Sequence, residues 1–264
     1  MTAIAGVPDL TLERLRDEGL IPAEAMAVYL SGSLVAGLGH ANSDVDLFVV
    51  ADERPAVEPS GELRRPLEPT TVPIVVCWFG ATRVDTEYWT PGQVSQLVAR
   101  VADTDLGGGR IAGVDISDDD VDFLYRLAVA QPLVGSDWLA ERQRELEGAR
   151  FPLLLAARAF TEADTYVEDA LGLLQSDDPA SAVLAARSAF GYTVDGLLAY
   201  AGELSPSAKW RARKLARARP AELSWDDYWR IETMRDLDAA RPEAWVELVL
   251  ERCQDITGRI DFLE

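Results

Sequence analysis

Apolar and polar positions along this 264-residue chain fall into two regimes. In roughly the first 116 residues, short apolar runs bounded by Gly, Pro and Ser predict strands, whereas later apolar positions recur every three or four residues, as on helices. Residues 9–18 carry Leu10, Leu12 and Leu15 at near-helical spacing and stop at Gly19. Runs at 25–30, 44–50 and 73–79 predict strands. Residues 83–89 alternate so that Asp85, Glu87 and Trp89 share one face and Val84, Thr86 and Tyr88 the other. Residues 91–102 open with Pro and place Val94, Leu97, Val98 and Val101 on one helical face. The Pro-, Glu- and Arg-rich stretch 51–71 predicts a loop or a short irregular helix. The stretch 103–115 predicts a loop at the domain boundary; its Gly107-Gly108-Gly109 lacks the strand-to-helix context of a phosphate-binding turn.

From Ser117, an N-cap followed by acidic residues, the pattern is helical throughout, with helices expected near 117–128, 137–147, 151–174, 179–201, 208–218, 225–237 and 242–260. The fold class is therefore α+β: a mixed-sheet domain over 1–116, then an all-helical antiparallel bundle over 117–264.

Composition sets bounds on the chemistry. With 48% hydrophobic and 27% charged residues the chain can bury a core without staples. Cys77 and Cys253 lie far apart in apolar surroundings and nothing at the N-terminus resembles a signal, which together favour a reducing, cytoplasmic setting. No apolar stretch is long enough to cross a membrane. A formal net charge of −20 opposes a nucleic-acid partner and would draw in a cationic one, although an acidic surface also serves solubility alone.

The chemistry concentrates at 29–50. Asp44 and Asp46, one residue apart in a strand-like run, leave the same face. Neighbouring carboxylates repel, and such oxygen donors suit Mg²⁺, which is usually held by one or two carboxylates plus substrate phosphates. Upstream, an apolar run ends at Ser31-Gly32-Ser33, a turn whose N–H groups and hydroxyl suit a triphosphate; Gly37 and Gly39 break the helix that follows and return the chain through Ser43 to Asp44. A bare Asp-x-Asp beside a turn would also fit a solvated face. The lone histidine, His40, supplies neither a zinc site nor a catalytic triad. Trp210, Trp225, Trp229 and Trp245 fit burial in a core better than a stacking site.

Gly32-Ser33, Gly37 and Ser43-Asp44-Val45-Asp46 resemble the motif of the polymerase-β-type nucleotidyltransferases, above all the aminoglycoside adenylyltransferases. The resemblance implies an NTP, most simply ATP, bound with Mg²⁺ at Asp44, Asp46 and a third carboxylate. A nucleoside monophosphate then passes to a hydroxyl of a small-molecule acceptor, such as an aminoglycoside, and pyrophosphate leaves. It places the third carboxylate, metal ligand or general base, at the Val84-Asp85 step, with Glu87 as the alternative or a supporting neighbour. It also brings a lysine from the helical domain to the triphosphate, here Lys209, with Arg213 one turn on as a geometric neighbour; charges balancing nearby acids on a solvated helix fit the same stretch. Two other readings stay open: a nucleotidyltransferase acting on a protein, peptide or biosynthetic intermediate, and a non-catalytic antitoxin-type module, against which the long helical half speaks.

Overall fold

A computed structural model describes residues 10–40, 42–104 and 116–260; the glycine run 107–109 lies outside them. The chain divides into two compact units, the first ending at Asp103 but resuming over Ile116–Ala149, the second taking Arg150 onward.

The first unit is built from α1 (Leu12–Asp17), β1 (Ala27–Ser31), the single turn α2 (Gly32–Val35), β2 (Val45–Val50), β3 (Gly61–Arg64), β4 (Thr71–Phe79), β5 (Thr82–Trp89), α3 (Pro91–Ala102), α4 (Asp118–Ala128), β6 (Gln131–Val134) and α5 (Ser136–Gly148). Its six strands form one sheet in the order β3-β4-β5-β2-β1-β6. The sheet is mixed: β2 and β5 run parallel and the other pairs antiparallel. Strand alternation gives its two faces different tasks. On one, Val28, Leu30, Val45, Leu47, Val49, Val84 and Tyr88 bury against Leu10, Leu15 and Leu20, and the Tyr88 hydroxyl donates to the Leu20 carbonyl at 2.8 Å. On the other, Tyr29 stacks on Phe48, and Phe123 of α4 meets both Phe48 and Trp89. That second face carries the acidic residues.

Capping signals in the sequence are realised. Thr90 with Gln93 and Ser117 with Asp120 form capping boxes, and the Gln93 amide also donates to the carbonyls of Pro69 and Thr71, tying the loop before β4 to α3. Two strands depart from expectation. β3 lies in the stretch expected to be loop or irregular helix; it is an exposed edge strand held by backbone pairing to β4, so no apolar alternation marks it. β6 lies where helix alone was expected and pairs with β1 from about a hundred residues away. It carries α4 and α5 with it into the first unit. The compact units therefore part after Ala149, not at the 116/117 boundary read from the sequence.

The second unit is helical: α6 (Phe151–Gln175), α7 (Pro179–Tyr200), a 3₁₀ turn (Ala208–Trp210), α8 (Arg211–Ala218), α9 (Trp225–Glu232) and α10 (Pro242–Thr257). Residues 176–178 join α6 to α7, a connection short enough to make them an antiparallel hairpin. Ala182, Ala186 and Ala189 keep α7 slim, and Trp245, Val246, Val249 and Leu250 of α10 pack into the same core. In the basic stretch 209–219 several charges do balance nearby acids, within this unit. Lys214 is 1% exposed, donates to the Ser205 carbonyl at 2.7 Å and pairs with Asp195 at 3.3 Å. Arg211 pairs with Asp195 at 2.7 Å, and Arg217 with Glu203.

Candidate active site

The site begins at the end of β1. Ser31 is extended, and Gly32 follows at φ +76°, a region that L side chains rarely adopt. Space demands glycine here as well: a Cβ would stand 1.9 Å from Oδ2 of Asp46. The turn Gly32–Val35 closes when the N–H groups of Leu38 and Gly39 both donate to the Ser33 carbonyl, at 2.9 and 2.7 Å. On the return, the Ser43 hydroxyl accepts from the His40 N–H at 2.9 Å and the His40 ring from the Asn42 N–H at 3.1 Å, so both side chains shape the loop that delivers Asp44.

Asp46 is the register partner of Ser31 on one side and of Asp85 on the other. Adjacent strands thus bring Asp46 and Asp85 to one face, and Glu87 follows two residues on, opposite Phe48. Two arginines stand on this acidic cluster. The Arg126 Nη1 of α4 lies 2.8 Å from Asp46 and its Nε 2.7 Å from Asp122, while the Ser31 hydroxyl donates to the Arg126 carbonyl at 2.5 Å. From the other side, Arg83 holds Asp85 at 2.7 Å and reaches Asp44 at 4.0 Å. Glu87 accepts from the Trp89 indole N–H at 2.9 Å.

The electrostatics follow from this packing. Burial raises the Asp46 carboxyl above its ordinary range; Arg126 works against that rise, and the neighbouring charges of Asp85 and Asp122 add to it. Glu87 is raised by burial, against the Trp89 hydrogen bond and the charge of Arg126. Burial alone would lower the Arg126 guanidinium, but Asp46 and Asp122 outweigh it and hold it above its ordinary range.

Among the described residues, no three or more His, Cys, Asp or Glu side chains converge as a ready metal cage. The donors nonetheless fit a hard cation of the Mg²⁺ kind. Asp44, Asp46 and Asp85 are oxygen donors whose mutual repulsion is at present relieved by guanidinium groups, and Mg²⁺ is ordinarily completed by phosphate oxygens and water in place of a full protein cage.

The architecture thus joins a glycine turn packed onto a strand carboxylate with a second carboxylate in register on a parallel strand. Residues 11–77 match the family model of a nucleotidyltransferase domain. The match covers Gly32, Ser33, Ser43, Asp44 and Asp46; Asp85, Glu87 and Arg126 lie beyond it. No curated protein sequence matches the chain significantly. Among solved structures, a nucleotidyltransferase-like protein from Exiguobacterium sibiricum 255-15 is similar at 12% identity and a TM-score of 0.48, over 92% of this chain and 72% of that one.

The first unit brings together Gly32, Ser33, Asp44, Asp46, Asp85 and Glu87. Lys209 and Arg213 belong to the second unit, where both stand over the Trp210 ring, at 5.2 and 5.0 Å. Three contributors escaped the sequence reading: Ser31 as an anchor for α4, Arg83 and Arg126. Arg83 shares the parity of Asp85 and Glu87 and was open to the same alternation argument. For Arg126 the only local signal is Asp122 one helical turn earlier.

Proposed function

We propose that the chain is a Mg²⁺-dependent nucleotidyltransferase that moves a nucleoside monophosphate, AMP from ATP, to a hydroxyl of a small acceptor and releases pyrophosphate. The observation that carries this reading is the stack of Gly32 on Asp46 and of Asp46 beside Asp85 in parallel register. Asp44, Asp46 and Asp85 would hold the metal, which when bound supplies positive charge that neutralises the phosphates and polarises the α-phosphoryl group.

The chain's own residues do the rest. The turn at Gly32 and Ser33 offers N–H groups and a hydroxyl to the terminal phosphates. Asp85 takes the proton from the acceptor hydroxyl as its oxygen bonds to the α-phosphorus; the bond from that phosphorus to the bridging oxygen breaks, and its electron pair leaves with pyrophosphate. Glu87, two residues further along β5 and tied to Trp89, is the alternative proton acceptor. For Lys209 a role toward the triphosphate rests on the family resemblance alone, and Arg213 enters only as its geometric neighbour one turn on. The acidic composition supports a cationic acceptor of the aminoglycoside class.

Calorimetry with Mg-ATP and an aminoglycoside panel tests the reading. ATP binding lost in an Asp44→Ala, Asp46→Ala variant supports a nucleotide site; unchanged binding refutes it. Affinity for an aminoglycoside supports the cationic acceptor, and none across the panel moves the search to peptides and biosynthetic intermediates. Turnover lost in Asp85→Asn but kept in Glu87→Gln assigns the base, and the reverse result moves that role to Glu87.

A further inference from the structure

We propose that Arg126 is a counter-ion that changes partner: it neutralises Asp46 when no nucleotide is present, and passes to the phosphates when a nucleoside triphosphate enters with its divalent cation. The inference rests on the nucleotide-site reading above and adds a coupling between metal and nucleotide.

Four observations place Arg126 for this task. Its helix is pinned at the site by the Ser31 hydroxyl, which donates to the Arg126 carbonyl from the register partner of Asp46. Its Nε is held by Asp122 of the same helix, which leaves the Nη groups able to exchange acceptors without the side chain leaving. Nη1 meets Oδ1 of Asp46 at 2.8 Å, so it already neutralises a carboxylate that the reading above gives to the cation. The guanidinium lies over the Phe48 ring at 5.8 Å and is 23% exposed, so a ligand can reach it.

Charge logic supplies the direction of the exchange. A divalent cation on Asp46 would repel a guanidinium already seated there, since like charges a few ångströms apart in a partly buried site interact strongly. A cation arriving alone must expel Arg126 with no new anion to receive it. A triphosphate provides that anion, and the planar fork of arginine suits bidentate phosphate recognition. Cation and nucleotide should therefore bind better together than the phosphate–metal affinity alone dictates. The excess is carried by Arg126.

The test measures Mn²⁺ binding by water proton relaxation, alone and with α,β-methylene-ATP, in the wild type, Arg126→Gln and Asp46→Asn, with circular dichroism to confirm folding. The expected result is that Arg126→Gln binds Mn²⁺ alone about threefold more tightly and the Mn²⁺–nucleotide complex about tenfold more weakly, so the coupling collapses. Wild-type affinities in Arg126→Gln, or metal and complex weakened together, would overturn the counter-ion role while a defect in Asp46→Asn keeps the nucleotide site. No binding of the complex to the wild type would overturn both. Should Arg126→Gln fail to fold, the wild type gives the answer by nitrogen NMR. The Arg126 Nη resonances should move with the Mg²⁺ complex of the analogue and not with Mg²⁺ alone; resonances unmoved by the complex refute the exchange.

Discussion

Replacing Gly32 with alanine perturbs the site at its tightest point. The new Cβ would stand 1.9 Å from Oδ2, 2.8 Å from Cγ and 3.3 Å from Cβ of Asp46. Two costs add. Holding an L side chain at φ +76° costs about 1–2 kcal/mol. Asp46 must also swing away and give up its charge-assisted bond to Arg126, a loss of about 1.5–3 kcal/mol for a partly buried pair. Together these destabilise the first unit by about 2.5–5 kcal/mol. Displacing Asp46 by more than an ångström should lower turnover by about a hundredfold or more. Urea denaturation of Gly32→Ala with and without Asp46→Ala separates the two costs, because once the carboxylate is gone only the backbone strain and the milder 3.3 Å contact with the remaining Cβ survive. The coupling between the two substitutions should be about 2 kcal/mol. Gly80→Ala is an internal control: Gly80 also has a positive φ, of +62°, but nothing lies within 4 Å of its Cβ position, so it should cost only the backbone strain. A Gly32→Ala variant as mild as Gly80→Ala, or one whose cost is the same with and without the Asp46 carboxylate, would rule out the clash with Asp46.

Other consequences concern the second unit. Lys214→Met should destabilise it by about 3 kcal/mol, because Asp195 and the Ser205 carbonyl lose a buried partner. Burial lowers the folded pKa of Lys214 below its ordinary 10.5, so between the two values the unfolded chain binds more protons and stability rises with pH. Subtracting the Lys214→Met curve from the wild type should isolate that positive slope; a flat difference contradicts the assignment. Trp245→Ala should cost about 3–5 kcal/mol, as befits a residue 4% exposed, whereas Trp229→Ala, 46% exposed, should cost about 1 kcal/mol or less, as read by chemical denaturation.

The acidic pair and the glycine turn were legible because both obey local rules: a strand alternates with period two, and a glycine followed by a hydroxyl residue punctuates it. The cap at Ser117 and the helices after Arg150 were legible for the same reason. β6 was not, since four residues flanked by helices carry little periodicity, and its partner β1 lies far back in the chain. Missing β6 misplaced the boundary. The basic stretch from Lys209 to Arg219 shows another limit: its charges fitted a solvated helix balancing nearby acids, yet Lys214 is buried against an Asp195 that no short-range pattern links to it. Among the tryptophans, burial preference was right for Trp245 and failed for Trp225 and Trp229, which stack on each other at 5.7 Å and stay about half exposed.

If the Asp46–Asp85 face of the sheet transfers a nucleotidyl group, pyrophosphate must leave ATP there and Asp46 must be needed for it. The most direct measurement is pyrophosphate release from Mg-ATP with an aminoglycoside panel, comparing the wild type with Asp46→Asn. Release should be stimulated by an acceptor in the wild type and reduced by about a thousandfold in the variant, the scale expected when positioning and charge stabilisation at the α-phosphorus are lost together. Equal release from both proteins, or release of orthophosphate in place of pyrophosphate, would contradict it.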